Sequence, residues 1–452
     1  MYIIDHRVNN KLFLKTVGPM CNDACHRLGI VMIVKVMAAM ETNPFTTRIE
    51  SLINVSTGQC AEPEVRDHLT HVREIGISAL SERKTAVIID AMYAVQHWSF
   101  HKDETFGDIA QRYKKNLLND IPDGTTIVHF CCDRYDQLGL KSSEQQHRYN
   151  RSRPARQFEI SDQFKAPDPQ EFFSLSANKA GFLNYLCETW CQEEIKGPSI
   201  RASQLYLGGG FKEETKSVLV TDGRVTEVAD LESSQQEADT RVILHSVYSF
   251  QHEAVNRVVI HANDTYVIVM AIYYAASLLK YLPELWVRTS LDNYLAIHEI
   301  AAALGPTTCI SLPFVHSLSG RDTTSYPYFT GKKTWFNKAK ETNISSLEDY
   351  AEGGAEASKQ ITDDLIAQSK QLMIAVYSNK CDNLVGSSLT NVRVHKFLNS
   401  KSTLLKLLPP TGSAFEQHLR RAALATMIDK SAHIPKPRIN PCDDYGWTMD
   451  DG

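Results

Sequence analysis

Acidic residues at the ends of apolar runs are the part of this chain best suited to chemistry. Asp90 closes TAVIIDA and Asp133 closes TTIVHFCCD. Glu237 and Asp239 open a helical pattern in QQEADTRVILH, Asp264 closes RVVIHAND, and Asp322 lies in LSGRDTTS. Open α/β folds bind ligands just outside the carboxyl ends of their strands, so acids far apart in sequence can meet there. Carboxylates gathered with few charges to balance them make a hard-cation site, suited to Mg²⁺ or Mn²⁺. Phosphoester hydrolysis is the chemistry most often run at such a site.

Each acid also has an ordinary structural explanation. Ser234-Gln-Gln-Glu237 reads as a capping box, with Ser234 on the helix start and Glu237 returning to its amide. Asp264 and Asp322 each precede Thr and could be plain N-caps. Asp90 and Asp133 end strands, where Asp is a common turn residue. The set as a whole is harder to explain this way, because like charges brought together at one sheet edge are costly without a cation.

The elements that would position these acids are strands alternating with helices. TAVIIDA and TTIVHFCCD read as buried strands, separated by the amphipathic helix FGDIAQRYKKNLL. FLNYLCETWCQEEI is a helix, and QLYLGGGF a strand ending in a glycine turn. SVLVTDGRVTEV is a hairpin, for which Asp222-Gly223 predicts a type I′ turn. RVVIHAND with its apolar helix, then ELWVRT with the helix NYLAIHEIAAAL, continue the alternation. Strands separated by helices imply parallel pairing. The expectation is an α/β fold: a central, mainly parallel sheet flanked by helices, over residues 83–345. Residues 1–82 form a helical N-terminal extension and residues 346–452 a mostly helical C-terminal one.

Composition sets outer limits. A net charge of -5 over 452 residues argues against a globally basic nucleic-acid binder and leaves room for local basic patches. Ten cysteines in a chain of this length do not read as a disulfide framework. With no secretory leader in view, an intracellular location, nucleus or cytoplasm, is expected. Cys21 and Cys25, and Cys187 and Cys191, could share helix faces, but further zinc ligands have no obvious spacing. The apolar run TYVIVMAIYYAASLL is shorter than the roughly 20 residues a membrane span needs. It reads as a helix buried against a sheet.

These segments resemble the PIN-like nuclease superfamily, in particular its flap endonuclease branch. VIIDAM matches a first strand ending in Asp, and VHFCCDRYDQLGLKSSEQQHRYNRS a second strand followed by a basic stretch. EADTR matches the family's Glu-Ala-Glu/Asp helix motif, and SGRDTTS its later Gly-x-Asp. VHSLSGRDTTSYPYFTGKKTW and LPPTGSAFEQHLRRA also resemble runs in a group of animal proteins with a PIN-like core, some of them associated with mobile elements. The likeness runs from about Asn43 to Trp447. It implies a PIN-like core, a two-metal Mg²⁺ or Mn²⁺ centre and a DNA or RNA substrate. On that resemblance Asp90, Asp133, Glu237 and Asp239 are the core ligands, and Asp264 and Asp322 complete the second position. The chain departs from the pattern at two places. Tyr266 stands where the family carries the second Asp of Asp-Thr-Asp, and a neutral phenol cannot replace a carboxylate on Mg²⁺. Arg321 stands where relatives carry Cys, so its charge could neutralise Asp322 or bind a phosphate.

Basic residues supply expected nucleic-acid contacts. Arg134, Lys141, Arg148, Arg151 and Arg153 follow the second strand, with Tyr149 available for stacking. Lys332, Lys333 and Lys338 form another patch, and Arg321 is a further expected contact. Charge runs are also commonly just solvated surface. Two functions follow: a metal-dependent nuclease that Tyr266 weakens, or a non-catalytic PIN-like protein that keeps the fold and some nucleic-acid binding. A small-molecule enzyme lacks support, because Gly208–Gly210 forms neither GxGxxG nor a P-loop and there is no HExxH or GxSxG.

Overall fold

A computed structural model describes residues 84–119, 121–122, 125–135, 156–192, 202–279, 284–290, 293–328, 330–342, 361–378, 388–399 and 405–447. The expected N-terminal helices, Cys21, Cys25, Lys141, Arg148, Tyr149, Arg151 and Arg153 lie outside the described residues. The described chain is α/β, with eight strands in one mixed, mostly parallel sheet and twelve α-helices.

Strand β1 (Thr85–Asp90) lies inside the sheet because both its faces are apolar. Val87 and Ile89 pack toward one layer of helices, and Ala86 and Ile88 toward the other. Helix α1 (Ala91–His97) and helix α2 (Phe106–Asn119) lead to β2 (Thr125–Cys131), which pairs parallel with β1. A short α3 (Pro169–Phe172) and α4 (Ser176–Gln192) precede β3 (Gln204–Gly208), parallel to β2. β4 (Ser217–Thr221) and β5 (Arg224–Glu227) continue the sheet antiparallel. They form the expected hairpin with Thr221 opposite Arg224, but Gly223 alone of the two turn residues has a positive φ. The turn is therefore not type I′, which needs positive φ at both central positions.

The chain then crosses to the opposite side of β1. Helix α5 (Ala238–His252) leads to β6 (Arg257–His261), parallel to β1, and α6 (Thr265–Ser277) leads to β7 (Glu284–Ser290), parallel to β6. NYLA, expected as the start of a helix, is an antiparallel edge strand β8 (Asn293–Ala296), and the helix α7 (Ile297–Leu304) begins after it. Tyr294 and Leu295 alternate onto opposite faces of the sheet, so pairing with β7 wins over helical periodicity.

The strand order is β5-β4-β3-β2-β1-β6-β7-β8. Connections leave β1 toward β2 and leave β6 toward β7, in opposite directions. The crevice between the carboxyl ends of β1 and β6 is therefore the topological switch point, where open α/β sheets bind ligands. α8 (Pro306–Leu318), α9 (Lys332–Glu341), α10 (Asp363–Tyr377), α11 (Leu389–Asn399) and α12 (Gly412–Lys430) pack around Trp335, Phe314, Leu372 and Phe415 in a separate helical core. Among the described residues no single helix is long and apolar enough to cross a membrane.

Candidate active site at the carboxyl edge of the sheet

Asp90 ends β1 and caps α1: its Oδ1 accepts from Met92 N at 2.7 Å and Tyr93 N at 3.3 Å. Asp264 follows β6 and caps α6, with Oδ1 accepting from Tyr266 N at 2.8 Å. Asp264 is thus the N-cap its sequence context allows; Asp90, expected as a turn residue, is an N-cap as well, and the two stand at and just after the ends of the two strands that flank the switch point.

Asp133 acts across the chain. Its Oδ1 accepts from Ala238 N at 2.7 Å, so the acid after β2 caps the start of α5, 105 residues away. The expected capping box is not built: Glu237 is the N-cap residue and makes no side-chain cap bond. The loop entering α5 is held instead by the fully buried Arg241, whose guanidinium donates to the carbonyls of Glu214, Ser233 and Gln235. Arg134 N donates to Gln236 O at 2.8 Å, and Arg134 Nη1 to Ser234 O at 2.7 Å. Its side chain is only 18% exposed and pairs with Glu214, so Arg134 fastens two loops together instead of facing solvent. Glu237 and Asp239, both half-buried, are thereby fixed at the start of α5 beside the end of β2.

The most densely bonded part of the site involves a residue that the sequence reading did not single out. Asp429, in the last turn of α12, is fully buried. Arg321 Nη1 donates to its Oδ1 at 2.9 Å and its Oδ2 at 3.1 Å. The buried Tyr266 hydroxyl donates to the same Oδ1. The Arg321 guanidinium carbon lies 3.8 Å from the centre of the Tyr266 ring. Burial disfavours the charged guanidinium, but Asp429, with Tyr266 and Glu237, more than reverses this and holds its pKa well above the ordinary value. Burial raises the Asp429 pKa against the pull of Arg321 and the Tyr266 hydroxyl. Arg321 therefore neutralises Asp429 and not Asp322, which is exposed on the turn beside it.

Lys332 adds a second cation. Its ammonium donates to Gly320 O at 2.8 Å and sits within electrostatic reach of Arg321, Asp264 and Asp322. Burial, helped by Arg321 and opposed by the two acids, lowers its pKa to about 8. Lys333, its half-buried neighbour, follows it in the first turn of α9. His316 lies between these groups electrically, within reach of Lys332 and Arg321, with neither ring nitrogen hydrogen-bonded.

The helical tail carries Asp429 to the edge through firm anchors. Tyr274 on α6 donates to Asp429 O and Lys430 O, at 3.0 and 2.8 Å. Gln235 Nε2 donates to Ala432 O and Ile434 O, and His418 bonds Leu318 O at 2.8 Å. One sequence signal pointed to Asp429: an acid in the last turn of a helix opposes the helix dipole and needs a local reason to be there.

The fit to Mg²⁺ or Mn²⁺ differs across the edge. Asp90, Asp133, Glu237 and Asp239 are hard oxygen donors of the right type. The caps use Oδ1 of Asp90 and of Asp133, and Tyr135 OH lies within electrostatic reach of both acids. Where Asp264 and Asp322 were expected to complete a second position, two fixed cations stand among the acids, so the donor set there does not fit another ion. Among the described residues no three His, Cys, Asp or Glu side chains are gathered closely enough to hold a metal ion as they stand. Cys187, considered for zinc, is buried with its thiol pKa raised by a hydrogen bond with Cys132 and by burial, which opposes thiolate ligation. Comparison with protein-family models, with curated proteins and with solved structures finds no match to this chain.

Proposed function

We propose that the carboxyl edge is a divalent-metal-dependent phosphodiesterase site of the PIN-like, flap endonuclease type, acting weakly on DNA or RNA. The observation that carries the reading is the pair of acids, Asp90 at the end of β1 and Asp264 just after β6, at the two strands flanking the switch-point crevice, with Asp133 after β2 capping the start of α5 that carries Glu237 and Asp239. Asp90, Asp133, Glu237 and Asp239 would hold one Mg²⁺ or Mn²⁺. Such an ion lowers the pKa of a bound water and offsets charge on a phosphate. Asp133 orders the α5 N-terminus, and Arg241 fixes the approach to it. Lys332 and Lys333 supply positive charge for the phosphodiester backbone, with Lys141, Arg148, Arg151 and Arg153 as a further basic stretch; Arg321 and Arg134, expected among these contacts, are tied instead to Asp429 and Glu214. The free thiols of the described cysteines agree with a reducing, intracellular setting.

A second reading, nucleic-acid binding without hydrolysis, is favoured by the Arg321–Asp429–Tyr266 unit. That unit fixes positive charge and an uncharged phenol where a carboxylate-rich position was expected. A cleavage assay separates the two readings, using labelled flap, hairpin and single-stranded DNA and RNA. Slow cutting that is faster in Mn²⁺ than in Mg²⁺, lost in Asp90→Asn and increased in Tyr266→Asp, is the expected result. Salt-sensitive binding in EDTA with no cutting by folded wild-type protein would leave the second reading.

A further inference from the structure

The loop joining α8 to α9 carries two tyrosines that face solvent: Tyr326 is 62% exposed and Tyr328 38%. One exposed aromatic needs no explanation, but these two stand on a backbone that is pinned along its length. Gly320 takes a φ of 100°, and a Cβ there would meet Tyr326 Cδ2 at 2.7 Å and Tyr326 Cα at 3.0 Å, so the loop folds back with Tyr326 packed on Gly320. Thr324 N donates to Arg321 O at 3.0 Å, and Arg321 N to Thr324 Oγ1 at 2.9 Å. Arg421 Nη1 on α12 donates to Ser325 Oγ at 2.8 Å, and the Tyr377 hydroxyl on α10 to Tyr328 O at 3.3 Å. An aromatic side chain on a fixed backbone offers a broad flat face with little further entropy to lose on binding. Positive charge lies around this loop. Residues 323–340 hold Lys332, Lys333, Lys338 and Lys340 and no Asp or Glu. Lys332 Nζ donates at 2.8 Å to the carbonyl of Gly320, the residue that Tyr326 rests on. Lys406 Nζ stands 4.6 Å from the centre of the Tyr328 ring. Asp322, exposed on the same turn, is within electrostatic reach of Lys332. Exposed aromatic faces among lysines suit a single strand of nucleic acid, whose bases stack on the rings while its phosphates meet the ammonium groups. Bases inside a duplex are already stacked and offer no open face.

We propose that Tyr326, with Tyr328 close by in the loop, is a base-stacking subsite for unpaired nucleotides of DNA or RNA, set so that the strand's phosphates reach Lys332 and Lys333. The proposal rests on the reading of this edge as a phosphodiester site, and the stacking itself requires no metal. Because every base has a face to stack, the subsite selects unpaired over paired strands and is indifferent to sequence. Tyr326 binds the strand and takes no part in the chemical step.

The test measures binding of the full chain in EDTA, where nothing is cut. Fluorescence anisotropy follows four short labelled probes: oligothymidylate, oligouridylate, the same DNA backbone without bases, and a blunt duplex. Wild type should prefer the two oligonucleotides to the base-free backbone and to the duplex. Tyr326→Ala should weaken oligonucleotide binding at least about fivefold and leave the base-free backbone unchanged. Tyr326→Phe, which keeps the ring, should stay within about twofold of wild type, whereas Tyr326→Leu, which fills space on Gly320 without a ring face, should lose as much as Tyr326→Ala. A loss confined to the thymidylate or to the uridylate probe supports the subsite and identifies its strand as DNA or RNA. Melting curves verify that the variants are folded, and Tyr326→Phe carries the comparison if the smaller side chains loosen the loop. Wild type binding the base-free backbone as well as the oligonucleotides overturns the proposal. So does Tyr326→Ala that binds like wild type, or Tyr326→Leu that binds like Tyr326→Phe. Failure of the phosphodiesterase reading appears separately, as no cutting in Mn²⁺ by wild-type protein that shows the expected binding pattern.

Discussion

Neutralising one partner of the Arg321–Asp429 pair should be far more damaging than neutralising both. The two side chains are 12% and 1% exposed, and both carboxylate oxygens accept from Arg321, at 2.9 and 3.1 Å. Breaking a buried pair by removing one partner costs about 3–5 kcal/mol, most of it the penalty of leaving the other charge uncompensated. Asp429→Asn keeps the shape and an acceptor for the Tyr266 hydroxyl but strands the guanidinium. Glu237 still faces Arg321, so the cost should fall at the lower end of that range. Arg321→Met strands the carboxylate with Glu237 as a like-charged neighbour, so its cost should fall at the upper end. The double variant Arg321→Met/Asp429→Asn removes both charges and keeps the Tyr266 hydrogen bond. It should come within about 1 kcal/mol of wild type, because replacing a buried ion pair by neutral groups of similar volume is often neutral. Urea unfolding of all four proteins in EDTA, read by tryptophan fluorescence, gives the double-mutant cycle. Single variants within about 1 kcal/mol of wild type, or a double variant equal to the sum of the singles, would refute the reasoning, since either result means the charges are not coupled in a dry site.

Three other perturbations probe what positions the site. Asp133→Ala should cost about 1 kcal/mol by uncapping α5, seen as a lower urea midpoint, and Asp133→Asn should lose less. Gly209→Ala should cost at least about 1–2 kcal/mol from its positive φ of 73° alone, and more because the new Cβ would meet Arg241 Nη1 at 2.3 Å; wild-type stability would contradict this. Acid should destabilise the fold at a pH still above the ordinary carboxylate range, because burial depresses the pKa of His245 to about 3 and holds those of His129, His261 and His316 well below the ordinary value. The sign follows from linkage: the unfolded chain takes up protons that the native chain refuses, so this stability is present above pH ~6.5 and is lost as pH falls toward the folded pKa. For His245 alone the loss between pH 6.5 and 5 is about 2 kcal/mol, and Tm that is level across that window would count against buried neutral imidazoles.

Much of the scaffold could be read from the chain alone, because its signals are local. TAVIID, TTIVHFC and RVVIH are short, β-branched and apolar on both faces, which suits only interior strands of a sheet covered by helices. Asp90 and Asp264 could be placed at strand ends for the same reason, since each terminates such a run and starts a helix. NYLA was misread because an edge strand continuing directly into a helix leaves no polar break between the two periodicities.

Tertiary structure alone decided how the charges are paired. Ser234 and Glu237 have the spacing of a capping box, yet the helix begins only at Ala238 with Glu237 as its N-cap, and folding brings the Asp133 carboxylate after β2 against the Ala238 amide. Arg321 stands next to Asp322 in sequence and pairs with Asp429, 108 residues away. Local proximity lost because Asp322 is exposed, where an ion pair gains little, whereas Asp429 is buried, where an unpaired charge is costly. The nearby Asp264 carboxylate is taken up by the Tyr266 amide, and only the docking of α12 on α6 gives the Tyr266 hydroxyl the Asp429 acceptor. The sequence determined where acids would stand along the sheet edge. Which cation each one meets depends on burial, and burial exists only once the helical tail has packed.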